Sequence, residues 1–140
     1  MAIKILYAED DDFTRDLKIR TLRELHFKVR VAKDGQEAWE AYQKDKYDLL
    51  LLDLDMPNLT GEEVMRLVRE RGDNIAIVIF SSVPDYNLLL DGADECIDKG
   101  CMDVELKCRI KAAYERSLAK APVKETSDQR PWIKSLFKKQ

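Results

Sequence analysis

No run of this chain approaches 18 consecutive apolar residues, so a membrane-spanning helix is not expected. Its first residues, MAIKILYAEDDD, turn acidic at once and lack the basic region and cleavage site of a signal peptide. Histidine occurs once and cysteine three times, the cysteines crowded between positions 96 and 108. A zinc site wants four ligands at recognisable spacing, so none is expected. An odd cysteine count without a secretory signal predicts reduced thiols and a cytoplasmic location. Positive charge is not in excess: the net charge of −3 over 140 residues argues against general nucleic-acid binding.

What is present is a strong core and a regular alternation. At 45% hydrophobic and 36% charged, the chain suits one soluble globular domain. Apolar runs IKILYA (3–8), VRVA (29–32), LLLLD (49–53), IAIVIF (75–80) and ECI (95–97) read as five strands. Helical periodicity fills the gaps. Thr14, Leu17, Ile19, Leu22 and Leu25 mark the first helix, and Ala38, Ala41 and Tyr42 the second, entered through Asp34-Gly35. Val64, Leu67 and Val68 mark the third, with Thr60 and Glu63 spaced as a capping box. A last helix is predicted over about 103–118, with Leu106, Ile110, Ala113 and Tyr114 inward. Such alternation implies a parallel sheet with helices on both faces. His26, where the first helix ends, suits a left-handed cap better than a metal ligand.

In this architecture ligands bind outside the carboxyl ends of the strands. The first strand ends at Glu9, Asp10 and Asp11; the third at Asp53 and Asp55; the fourth at Ser81 and Ser82; the fifth at Asp98 and Lys99. Acids packed together raise one another's pKa unless a cation holds them. Oxygen ligands from Glu9, Asp10 and Asp53, with no histidine or cysteine near them in sequence, suit Mg²⁺. Lys99 adds a point positive charge and Ser81 a hydroxyl, which together fit a phosphoryl group. Asp11 and Asp12 read as caps of the first helix.

These residues resemble the receiver domain of bacterial response regulators over residues 3 to 120. The family's acid pair matches Glu9 and Asp10; its D-x-x-M-P setting followed by glycine matches Asp53, Met56, Pro57 and Gly61. Its strand-four hydroxyl matches Ser81, its lysine Lys99, and its glycine-alanine-acid step Gly92, Ala93 and Asp94. The resemblance implies a doubly wound, flavodoxin-like sheet of order 2-1-3-4-5. It also implies a phosphoacceptor, Asp53, that assists its own phosphorylation and dephosphorylation rather than an enzyme proper. Mg²⁺ would be held by Glu9, Asp10 and Asp53 with the Asp55 backbone carbonyl, while Lys99 clamps the phosphoryl group and Ser81 acts as switch hydroxyl. The implied partners are a sensor histidine kinase or phosphotransfer protein and a downstream protein target.

Three departures from the family fall together. Ser81 to Gly92 spans eleven positions, roughly one helical turn short, which predicts a stunted fourth helix with Pro84 near its start and Leu88, Leu89 and Leu90 covering the sheet. The position three before the lysine, usually tyrosine or phenylalanine, is Cys96, expected as a small core residue. Gly100 replaces the proline that usually follows the lysine, so the customary cis peptide is not expected. All three lie on the face through which receivers usually dimerise or meet targets.

Residues 1–120 are therefore expected to form the receiver domain, and 121–140 a polar linker followed by a short basic amphipathic helix opened by Pro131. In that helix Trp132, Ile133, Leu136 and Phe137 share one face. Residues 122–140 carry +3, leaving −6 on the rest. The leading expectation seats the tail on the domain's own shortened fourth-helix face or on a second copy's, which would give a tail-mediated homodimer. A docking peptide for another protein comes next, and a membrane-surface anchor is the weakest reading. Two functions compete: a stand-alone phosphoacceptor of a phosphorelay, and a receiver-shaped interaction module that no longer needs phosphate. A hydrolase using the same pocket lacks sequence for a substrate-binding cap.

Overall fold

Four consecutive leucines with no polar residue among them can be satisfied only where both faces of a strand are covered. The computed structural model describes residues 2–120 and shows that arrangement. Strand β3 (Leu49–Leu52) lies at the centre of a five-stranded sheet. Around it are β1 (Lys4–Ala8), β2 (Lys28–Ala32), β4 (Ala76–Ser81) and β5 (Glu95–Asp98), in the order β2-β1-β3-β4-β5. Every pairing is parallel. The helices are α1 (Asp12–Glu24), α2 (Gly35–Lys44), α3 (Gly61–Glu70), α4 (Leu88–Asp91) and α5 (Asp103–Ala119). The fold is the flavodoxin-like one that the alternation and the resemblance imply.

Strand pleating divides the leucines between two cores. Leu50 and Leu52 join Leu6, Ile77 and Ile79 against Ala38, Val64, Met65 and Val68 of α2 and α3. Leu49 and Leu51 join Ile5, Val78 and Phe80 against Leu22 of α1 and Leu106, Ile110 and Ala113 of α5. The helix boundaries follow local chemistry. Asp11 caps α1 through the Thr14 amide, Asp34 caps α2 through Glu37, and Thr60 and Glu63 close a reciprocal capping box on α3. His26 takes a left-handed φ of 71° just past α1. No described peptide bond is cis.

Helix α4 is a single turn of four residues, ended by Gly92 at φ 129°. Its leucines do not all cover the sheet as the sequence suggests. Leu88 is buried, but Leu89 is 41% and Leu90 88% exposed, because one turn has only one inward position. Leu17 is likewise turned out, at 48%, since the inward stripe of α1 runs through Arg15 and Leu22. Cys96 is buried under α4, and its thiol donates to the Asp85 carbonyl at 3.4 Å. Burial pushes that thiol up to about 11, so it stays protonated. At the edge of the sheet, Arg109 and Arg116 of α5 donate to the carbonyls of Cys96 and Asp94, which blunts β5 against pairing with another chain. The expected tail, 121–140, lies outside the described residues.

Candidate functional site

Four of the five strands, all but β2, deliver polar groups to the same end of the sheet. The ladder carries on one residue past β1 and β3: the Glu9 amide donates to Ala32 at 3.1 Å and the Asp53 amide to Ala8 at 3.1 Å. Both carboxylates therefore enter the cleft from buried backbone, at 1% and 6% exposure. Beyond β5, the Lys99 amide donates to the Ser81 carbonyl at 3.0 Å, which fixes the lysine beside the end of β4. The result is a cleft of about 300 Å³ lined by Glu9, Asp10, Asp11, Asp53, Asp55, Ser81 and Lys99, with Val83 at its rim.

Within it the charges are paired. Lys99 Nζ contacts Glu9 Oε1 and lies 3.3 Å from Asp53 Oδ1. Asp53 Oδ1 also accepts the Leu54 amide at 2.9 Å. Glu9 accepts further from the Asp11 amide at 3.3 Å and the Tyr7 hydroxyl at 3.5 Å. Burial pushes the Asp53 carboxyl up to about 7, helped by its hydrogen bond with Glu9, while the Lys99 charge pulls it back. Burial alone would lower Lys99, but its contacts with Glu9 and Asp53 outweigh that and hold it above its ordinary value. Burial also lifts the Tyr7 phenol, reinforced by the Glu9 and Asp53 charges, so it remains a donor.

One oxygen from each of Glu9, Asp10 and Asp53 lies within 4.8 Å of the other two. Three carboxylates against one lysine leave two negative charges, and all the donors are hard oxygens. Such a set fits a divalent cation of the Mg²⁺ kind. Asp10 and Asp55 are exposed at the mouth. Ser81 Oγ faces its own turn: it donates to the Val83 carbonyl at 3.2 Å and accepts the Val83 amide at 3.1 Å. The structure thus brings together the residues singled out from strand ends except Asp98, which is exposed and accepts the Gly100 amide at 2.7 Å; the serine hydroxyl is turned toward the β4–α4 segment.

Two supporting residues escaped the sequence reading. Arg15, only 7% exposed, donates to the Glu9 carbonyl at 3.0 Å and pairs with Asp12. Lys18 donates to the Lys99 carbonyl at 2.9 Å, tying α1 to the loop after β5. A three-residue spacing of two basic residues on α1 was the only signal available. Gly61 is a third support: a Cβ there would lie 2.1 Å from the Asp53 carbonyl oxygen, so only glycine lets α3 start beside the acid.

Residues 5–111 match the family described as response regulator receiver domain. The chain belongs to that family. The response regulator MprA of Mycobacterium ulcerans is 36% identical over 121 residues, 84% of this chain and 52% of that protein. The receiver thus spans about half the length of the curated relatives it matches. Among solved structures, the receiver domain of a Francisella response regulator superposes with a TM-score of 0.75 at 27% identity, covering 82% of this chain and 98% of that one. TrrA of Thermotoga maritima, solved in complex with Mg²⁺ and BeF, gives 0.73 at 28%, covering 81% and 99%. Among the described residues, no helix is long and apolar enough to cross a membrane.

Proposed function

We propose that this receiver accepts a phosphoryl group on Asp53 from a phosphohistidine of a sensor kinase or phosphotransfer protein, and signals by protein–protein contact in the cytoplasm. The observation that carries this reading is Asp53 itself: a buried carboxylate at the tip of the central strand, 3.3 Å from Lys99 and beside Glu9. A carboxylate oxygen of Asp53 attacks phosphorus, the P–N bond to the donor imidazole breaks, and the leaving nitrogen keeps the electron pair. The product is an acyl phosphate. Lys99, already between Glu9 and Asp53, is placed to follow the charge as it moves onto the phosphoryl oxygens. Glu9, Asp10 and Asp53, with the Asp55 carbonyl, would hold Mg²⁺, which when bound neutralises phosphoryl charge and leaves little beyond positioning for the protein to supply. Ser81 would give up its Val83 contacts to donate to a phosphoryl oxygen, converting a charge change into movement of the segment after β4. On this reading the chain is an acceptor that assists its own chemistry rather than an enzyme.

Intact mass after incubation with Mg²⁺ and acetyl phosphate tests the proposal. One phosphoryl group is expected on the wild type and none on Asp53→Asn. The rebuilt α4 face and the buried Cys96 favour a second reading, a module whose partner binding ignores phosphate. That reading predicts no mass gain and equal partner binding by Asp53→Asn.

A further inference from the structure

Between Val83 and Leu90 the chain leaves four large apolar side chains in water: Val83 at 79%, Tyr86 at 57%, Leu89 at 41% and Leu90 at 88%. So dense a cluster marks a surface that something covers. The charge carried by the segment itself is one-sided, although Asp94, Glu95 and Glu105 are paired with Arg69, Arg109, Arg116 and Lys120 of neighbouring elements. Residues 82–105 contain seven acids and a single base, Lys99, which points into the cleft. Asp85, Asp91, Asp98 and Asp103 are exposed, and none of them is in an ion pair among the described residues.

The chain carries the complement of this face. Residues 130–140 hold Arg130, Lys134, Lys138 and Lys139 and no acid, interleaved with Trp132, Ile133, Leu136 and Phe137. We infer that this C-terminal segment docks in cis on the face formed by residues 83–91 and the neighbouring acids, its aromatic and aliphatic side chains over Tyr86, Leu89 and Leu90 and its lysines toward Asp85 and Asp91. The tether allows it. Helix α5 starts beside the cleft and runs 17 residues, about 26 Å, away from it. The eleven residues between Ala119 and Pro131 can span up to about 36 Å, enough to return along the helix. Attachment through so short a linker gives the segment an effective concentration on the order of millimolar, so a weak contact suffices. The one-turn α4 is what opens the space: the leucines that a longer helix would share out are left as a landing surface.

The test uses the full chain, labelled with ¹⁵N. Amide shifts of the wild type are compared with those of Trp132→Ala/Phe137→Ala and of Leu90→Arg/Asp91→Lys, from micromolar to millimolar concentration. Cis docking predicts that the tail substitutions perturb residues 83–91, and that the face substitutions perturb 131–139, equally at every concentration. Leu90 and Asp91 are exposed, so that variant keeps the fold. Perturbations that grow with concentration alongside a dimer in sedimentation would put the tail on a second copy and overturn the cis assignment. So would tail substitutions that leave 83–91 unmoved, including the case in which tail signals broaden only with anionic vesicles.

Discussion

Asp53 ionises against its surroundings, and that has a sign. Its carboxyl is lifted from 3.8 to about 7 chiefly by burial, so the folded state keeps a proton that the unfolded state releases. Stability therefore falls as pH rises from about 4 toward 7, and the cost is complete above that. The mouth of the cleft is open to water, and screening leaves a cost of about 1–2 kcal/mol. Asp53→Asn removes it: the variant should exceed the wild type by that amount at pH 8 and match it near pH 4. Urea midpoints of both proteins at the two pH values measure this, and an equal difference at both would show that the carboxyl is not strained. Lys99 is the other half of the pair. Lys99→Met leaves Glu9 and Asp53 without their cation, and acetyl phosphate labelling should slow by about a hundredfold, the loss typical of one electrostatic donor.

At the scale of elements, the start of α3 is fitted against the end of β3. Gly61→Ala would set a methyl 2.1 Å from the Asp53 carbonyl oxygen and 2.9 Å from its carbon, both backbone atoms that cannot rotate away. The helix must back off, at about 1–3 kcal/mol, and phosphoacceptance should drop with it because Asp53 moves. Chemical denaturation and intact mass together check this; a wild-type midpoint would show that α3 slides without cost. Elements of this kind were legible where a period or a cap marked them. LLLLD announced a two-faced strand with an acid at its tip, and Thr60 with Glu63 announced α3. The acids, Ser81 and Lys99 were legible because a parallel sheet gathers strand ends, so position alone brought them together. Arg15 and Lys18 were not, since a basic residue on a charged helix reads as solvent-facing until its target carbonyl is known. Nor were Leu17, Leu89 and Leu90, because apolar residues declare that a face exists but not which side of a short helix meets the sheet.

Across the whole molecule, the cleft joins parts that are far apart in the chain. Glu9, Asp53, Ser81 and Lys99 come from four strand ends spaced over ninety residues, and Lys18 ties α1 to the last of them. A ligand gripping these ends together binds the folded state alone, so its affinity adds directly to global stability. At a hundred times its dissociation constant, a bound phosphoryl mimic adds about 2.7 kcal/mol, or roughly 10 °C in midpoint for a domain of this size. Mg²⁺ with beryllofluoride should therefore shift the wild type by about that much, Mg²⁺ alone by less, and leave Lys99→Met nearly unmoved. Differential scanning fluorimetry of the full chain distinguishes the two proposed functions on this point. A phosphoacceptor gains its full stability only when metal and phosphoryl mimic are both present, because each completes the charge balance of the other among three acids and one lysine. A module that has given up phosphate would melt at one temperature in all conditions, with the acids held together by Lys99 alone.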